Sequence, residues 1–324
     1  MVYINGCASP LTALQPLVVS GSTLQGRPEM SHYDIVFMGH LATATVVPFK
    51  GSAFVERGGP AFFGPIAASC LTKRIATVTR IAQSEEQLLE QLKAAGIDLF
   101  VEPQETVKIR CVHPSVNVDE RQMFLLKRGG SFSINDMPPL EPCLIHLGGL
   151  SDHEFSLEFM KALKARGFCL SVGMQSFVWQ VDDQTRVIRM GDVPEKQEIL
   201  RMVDFVKLDV MEAKALTGTD VLQAQADMLE DWGSSETVIT CSEGVLGRSK
   251  GKSTFARFTN KSIQGRNGRG DTFFGAYLAR RLNHSVEESL MFATALTSIK
   301  IESPGPFRGS LKDVIERMDA PFPC

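Results

Sequence analysis

The chain has 324 residues, 44% of them hydrophobic, enough to bury one large core or two ordinary ones, which excludes fold-scale disorder. Its 34 basic and 37 acidic residues are interleaved and leave a net charge of -3, so no basic stripe marks a nucleic-acid partner, and an anionic ligand must be held by local groups. Seven cysteines without a Cys-x-x-Cys pair argue against a disulfide framework or structural zinc site; Cys70, Cys111, Cys169 and Cys241 lie among apolar neighbours and read as core residues. No apolar run approaches the roughly 18 residues that span a bilayer, and the N-terminus lacks the basic and apolar regions of a signal peptide. A cytoplasmic protein with no membrane partner is the expectation.

Residues 1–32 carry turn formers without a clean period and read as a loose extension, with Met30 a candidate natural start; the folded domain is expected over 33–324. From there short apolar runs alternate with amphipathic stretches. Strands are predicted at 34–38, 75–79, 143–147, 168–172, 205–208 and 237–241, and helices at 85–95, 154–165, 221–231, near 271–282 and over 286–301. This is the pattern of βαβ crossovers, hence an α/β fold with a doubly wound, mainly parallel sheet flanked by helices. Two regions interrupt it, 44–47 with 53–56 and 107–111 with 122–126, each a strand pair with no helix between. They are therefore antiparallel and expected to stand apart as a small β-lid, with strands near 43–57 and 106–127.

The stretch that carries chemistry is Gly265-Arg-Asn-Gly-Arg-Gly-Asp-Thr-Phe-Phe-Gly-Ala-Tyr-Leu-Ala279. Three glycines free the backbone, and Asp271-Thr272 then opens a run with helical spacing. The amides of Gly268, Arg269, Gly270 and Asp271 can converge at a helix N-terminus, where the helix dipole reinforces their partial positive charge. Such a nest suits a phosphoryl group in transfer. The competing reading makes Asp271 an N-cap and the glycines a turn.

Gly268-Arg-Gly-Asp-Thr-Phe-Phe-Gly-Ala276 resembles the C-terminal signature of the ribokinase-like, or PfkB-type, carbohydrate kinases, and the likeness extends from Tyr33 to the C-terminus. The resemblance implies that Asp271 is the catalytic base and that Gly268, Arg269 and Gly270 form the anion hole. It implies a substrate side at Gly58 and Gly59, before a helix, and a magnesium and nucleotide motif at Lys207-Leu-Asp-Val-Met-Glu212, where Asp209 and Glu212 would hold Mg2+ through water. A solvated helix face is the alternative there. The nucleotide-side strand would bring Thr240, Ser242 and Gly244, with adenine between that region and 295–305. Leu170-Ser-Val-Gly-Met-Gln-Ser-Phe-Val178 resembles plant-type inositol kinases of the same family, which points toward a cyclic polyol.

The departures are equally specific. Arg266 and Asn267 replace the two hydroxyl residues before the anion hole, Arg269 replaces its alanine, and the acid usual after the first strand is missing from 39–45. His40 could supply part of that hydrogen bonding, or be structural. The Gly247–Ser253 region has only three residues between its glycines, one short of a P-loop, and reads as an exposed basic hairpin.

These features together predict an ATP-dependent kinase with Mg2+, acting on a small sugar or polyol. A nucleoside kinase, or a non-catalytic nucleotide or metabolite sensor on the same fold, are the alternatives. An apolar lid face would allow a homodimer, although the same strands could equally cover only their own cleft.

Overall fold

The computed structural model describes residues 30–115 and 121–319, together with the short strand Leu17–Val18. Most of the expected N-terminal extension lies outside the described residues; Leu17 and Val18 pair antiparallel with Val101 and Phe100. The main sheet has ten strands. In spatial order they are Leu17–Val18, Asp98–Pro103, Ile75–Ile81, Ile35–Met38, Leu144–Leu147, Cys169–Gly173, Phe205–Asp209, Glu236–Thr240, Gly244–Ser249 and Lys252–Arg257. The seven from Asp98–Pro103 to Glu236–Thr240 are mutually parallel, and antiparallel strands close both edges.

A parallel sheet needs both faces covered, so its inner strands read as continuous apolar runs. Ile35–Met38 and Leu144–Leu147 are buried at every position. Side chains alternate across the sheet, and accordingly Ile35 and Phe37 join one core while Val36 and Met38 join the other. The first core packs helices Pro60–Ala68, Arg269–Arg281 and Val286–Ile301; the second packs Leu157–Ala165, Lys196–Met202, Val210–Thr217 and Leu222–Asp231. Strand order reverses between Ile35–Met38 and Leu144–Leu147, the kind of switch point beside which doubly wound sheets bind ligands at their carboxyl ends.

Capping fixes several helix starts. Ser156 Oγ accepts from the Phe159 amide at 3.1 Å, and Ser285 forms a reciprocal box with Glu288. The strand pairs expected at the lid are antiparallel, Ala42–Val47 with Phe54–Gly58 and Val107–Val112 with Gln122–Lys127. They join through a parallel pairing of Ala42–Val47 with Val107–Val112 into one four-stranded sheet separate from the main one. The Gly244–Ser249 and Lys252–Arg257 strands form the expected hairpin, with positive φ at Lys250 and Gly251 as its tight turn requires.

Two expectations are corrected and one element was missed. The helix over 85–95 is a 3-10 stretch, Gln83–Leu89, followed by a short α-helix, Glu90–Ala94, because Glu85 leaves helical geometry at φ -119. A hairpin of Trp179–Val181 with Ile188–Met190 was not anticipated. Cys169 is exposed and Cys111 and Cys241 are only half-buried, while half-buried Cys70 packs against the first core; apolar neighbours in sequence alternate faces in a strand and do not guarantee burial. Among the described residues no helix is long and apolar enough to cross a membrane.

Helices Pro60–Ala68 and Arg269–Arg281 cross backbone to backbone, with Gly275 against the carbonyl of Gly64. A methyl group there meets main chain that cannot rotate away. Gly275→Ala is expected to destabilise the fold by about 1–3 kcal/mol in denaturant unfolding, although an unconstrained helical glycine gains roughly 0.5–1 kcal/mol from the same change. A higher unfolding midpoint would show that the crossing is not tight.

Candidate active site

A cleft of about 540 Å³ opens over the carboxyl ends of the strands, roofed by the four-stranded sheet and floored by the glycine loop. It continues into a second lobe of about 510 Å³, the two sharing Arg121, Met123, Trp179, Asp209, Thr240, Arg266 and Arg269.

Gly268 takes the left-handed conformation, φ 74, and begins helix Arg269–Arg281 with no side-chain capping bond. Asp271 lies in the first turn behind a glycine cap, so its carboxylate is not the N-cap, and that reading of the sequence is corrected. Gly268 must be glycine twice over, for its φ and because a Cβ would enter the Phe63 ring. The Arg269 amide donates to Arg266 O at 3.2 Å, closing the loop's own turn. It therefore leaves the expected set of converging amides, in which Gly268, Gly270 and Asp271 remain. The Arg269 guanidinium lines both lobes and lies 5.6 Å from the Phe258 ring centroid.

Burial raises the Asp271 carboxyl above its ordinary range, and Lys207 and Lys300 pull it back. Lys207 lines the cleft from strand Phe205–Asp209 at only 6% exposure, its Nζ 4.0 Å from Glu212 Oε2. Burial works against its charge, but Glu212, Asp271 and Asp209 outweigh it and hold the ammonium above its usual pKa. Burial and then Asp209 push Glu212 up to about 7, with Lys207 opposing them.

Asp209 caps helix Val210–Thr217, its Oδ1 accepting from Met211 and Glu212 amides at 2.9 and 2.8 Å, while Glu212 Oε2 accepts from the Asp209 amide at 2.8 Å. Glu212 is 1% exposed, which rules out a solvated helix face. Each carboxylate keeps a second oxygen outside these capping bonds. Among the described residues no three His, Cys, Asp or Glu side chains form a metal cage. The pair thus suits an ion that keeps most of its waters, as magnesium does, rather than one held by protein ligands alone.

The other predicted residues divide. Gly58 and Gly59 line the cleft, and Gly59, at φ 113, starts helix Pro60–Ala68, where a Cβ would stand 2.7 Å from His40 O. Thr240 lines both lobes and Ser242 the second. His40 is fully buried, its Nε2 2.8 Å from Gly130 O, with Gly129 and Phe132 against the ring; burial lowers its pKa to about 4. It lines neither lobe, so its expected substrate contact is corrected to a structural role. Gly244 is also outside the lining: it is a strand residue opposite Arg257, where a side chain would strike the Ala256 carbonyl. The amides of Gln264 and Gly265 both donate to Ile301 O at 2.9 Å, and no residue of 295–305 lines either lobe.

Sequence reasoning missed four groups. Glu56, on strand Phe54–Gly58, and Gln175 bring polar side chains to the roofed lobe, and Arg121 and Arg189 bring charge to the second. Lys207 had a legible signal, a charge inside a buried parallel strand. Glu56 had none, because alternate polar residues are normal in a strand with one wet face.

Set against known proteins, residues 65–312 match the profile of the pfkB family carbohydrate kinases. The chain belongs to that family. As a pfkB carbohydrate kinase it is a phosphotransferase. Similar solved structures include a pyrophosphate-dependent kinase of the ribokinase family in its sulfate complex, 27% identical, with a TM-score of 0.80 over 87% of this chain and 99% of that one. A pyrophosphate-dependent kinase of that family complexed with a pyrophosphate analogue and myo-inositol is 26% identical, with a TM-score of 0.79 over 87% and 99%. Arabidopsis thaliana ribokinase, complexed with ribose and ATP, has a TM-score of 0.71 over 89% and 99% at 16% identity, a likeness of fold. No match was found among curated proteins.

Lys207 lies between the carboxylates of this kinase site, so removing its charge raises the pKa of Asp271 further. Were Asp271 a general base, which works only when deprotonated, the acidic limb of the pH–rate profile of Lys207→Met would move upward by about one unit or more. A profile superimposable on that of the unmodified protein would detach Lys207 from Asp271.

Proposed function

We propose that this kinase transfers the γ-phosphoryl group of ATP to a ring hydroxyl of a small cyclic polyol of the inositol class. The observation that carries the reading is Asp271, a desolvated carboxylate in the first turn of a glycine-capped helix, facing a roofed cleft beside Lys207. Its raised pKa makes it a better proton acceptor than an ordinary aspartate, and the lysines keep it ionised enough to act. As the acceptor oxygen bonds to phosphorus, its proton passes to Asp271, while the bond from phosphorus to the donor's bridging oxygen breaks and the diphosphate leaves. The amides of Gly268, Gly270 and Asp271 and the helix dipole stabilise charge on the transferring group.

Magnesium, held through water by Asp209 and Glu212, would neutralise the donor phosphates. The four-stranded sheet acts as a lid that excludes water, which otherwise competes as acceptor. Under it, Ala44, Ile109 and Leu150 offer apolar surface to ring faces, and Glu56 and Gln175 offer acceptors to hydroxyls. Glu56 would replace the acid missing after the first strand. The myo-inositol bound by a similar kinase supports this acceptor class.

A second donor, pyrophosphate, is favoured by one feature of the second lobe. Arg121, Arg189, Arg266 and Arg269 all line it, whereas residues 295–305, the expected adenine wall, do not. Arginine forks suit a small dense polyanion, and similar kinases are pyrophosphate-dependent.

A matrix of ATP and pyrophosphate against myo-inositol, ribose and a nucleoside, read as phosphorylated product, tests acceptor and donor together. Turnover is expected on the cyclitol, and turnover confined to a nucleoside would overturn the acceptor class. Asp271→Asn is expected to lose a factor of about 10² to 10⁴ in turnover, with melting temperature and donor binding nearly unchanged. Retention of more than about a tenth of the rate would end the assignment of Asp271 as general base.

A further inference from the structure

Lys300, near the C-terminal end of helix Val286–Ile301, is 1% exposed and lines neither lobe of the cleft. Its ammonium donates to Gly265 O at 2.6 Å and to Asn267 O, and lies 5.1 Å from the Phe63 ring centroid. Both carbonyls belong to the loop that leads into Gly268 and Asp271. A backbone that turns amides toward an anion must turn carbonyls elsewhere, and here two carbonyls two residues apart point at one buried spot. Partial negative charge concentrated there requires a donor or a cation.

An ammonium meets that need with three donors and no acceptor. Burying it is costly: desolvation lowers the pKa of Lys300 to about 8, with Glu56 and Asp271 opposing that shift and Arg269 adding to it. Its two carbonyl partners accept from the ammonium and favour the charged form. The loop is held from the other direction too, by the Gly265 amide on Ile301 O and by the close fit of Gly265 to Ser303 O.

We propose that Lys300 is a built-in cation for the phosphate-binding loop, tethered where a free potassium or ammonium ion would otherwise have to bridge the Gly265 and Asn267 carbonyls. Turnover therefore needs no added monovalent cation. This rests on the reading of 268–271 as the loop that stabilises the transferring phosphoryl group. Lys300 acts through the loop and not on the substrate, so it is a positioning residue.

The full-length protein and Lys300→Met are compared in buffer whose only monovalent cation is tetramethylammonium, then with potassium or ammonium chloride added. The unmodified protein is expected to change by less than about twofold, and the variant to lose about 10²-fold in kcat, as for one lost oxyanion-hole donor, with about tenfold recovered by either small ion. A merely structural lysine would give a loss that neither ion repairs, and that result overturns the proposal. So does potassium activation of the unmodified protein, a measurement that stands whether or not the variant folds. Amide hydrogen exchange over residues 263–272 supplies a readout independent of turnover. It should quicken in Lys300→Met and slow again with ammonium or potassium. An unmodified protein that transfers no phosphate while its variant shows this ion-dependent protection would sink the kinase mechanism and leave the tethered cation standing; unchanged exchange would sink the cation.

Discussion

The close crossing of helices Pro60–Ala68 and Arg269–Arg281 is the constraint on which the site depends. Gly275 against Gly64 O brings the two backbones together, and Gly268 lies over Phe63 on the first helix. Both helices consequently start at the cleft, one after Gly59 at φ 113 and the other after Gly268 at φ 74. Two positive dipole ends then face the same space, one toward the roofed lobe and one at the glycine loop. A side chain at either glycine would move a helix start, not merely crowd a pocket.

That geometry also determines the electrostatics. Glu212 and Asp271 reach a floor with little solvent, where burial drives carboxylates toward their neutral forms. Lys207 prevents full neutralisation, and a fixed ammonium is more effective there than a surface one because the surroundings screen it less. Asp209 and Glu212 use one oxygen each to start helix Val210–Thr217. The capping box therefore aims their remaining oxygens without mobile side chains, so the same two residues both begin a helix and shape a metal-friendly edge.

Much of this was legible in the sequence, for identifiable reasons. The parallel strands announced themselves because burial on both faces leaves unbroken apolar runs such as Ile35–Met38. The lid pairs were legible as strand pairs with no intervening helix, but their parallel union between Ala42–Val47 and Val107–Val112 was not, since no local pattern encodes a long-range register. In the site, the glycine loop stood out because three glycines before a helical run are chemically unusual. His40 misled because sequence position at a strand end does not say whether a side chain faces the cleft or the core. Lys300 escaped notice because a lysine near a helix C-terminus is ordinarily a solvated partner for the helix dipole. Its burial comes from a loop 33 residues earlier in the chain, wrapped across that helix end.

The acceptor and donor sides are joined by the chain itself. Strand Phe54–Gly58 carries Glu56 in the roofing sheet and runs without a break into Gly59 and helix Pro60–Ala68, the same helix that braces the glycine loop through Phe63. Glu56 also contributes to the field at Lys300, which holds the opposite end of that loop. An acceptor that binds Glu56 would therefore act on a segment continuous with the floor, and the field it perturbs reaches the Lys300 ammonium that holds the glycine loop. Contacts to the acceptor can in this way favour the loop geometry that transfer requires, because the roof, the helix and the loop share one short stretch of packed backbone and cannot adjust independently.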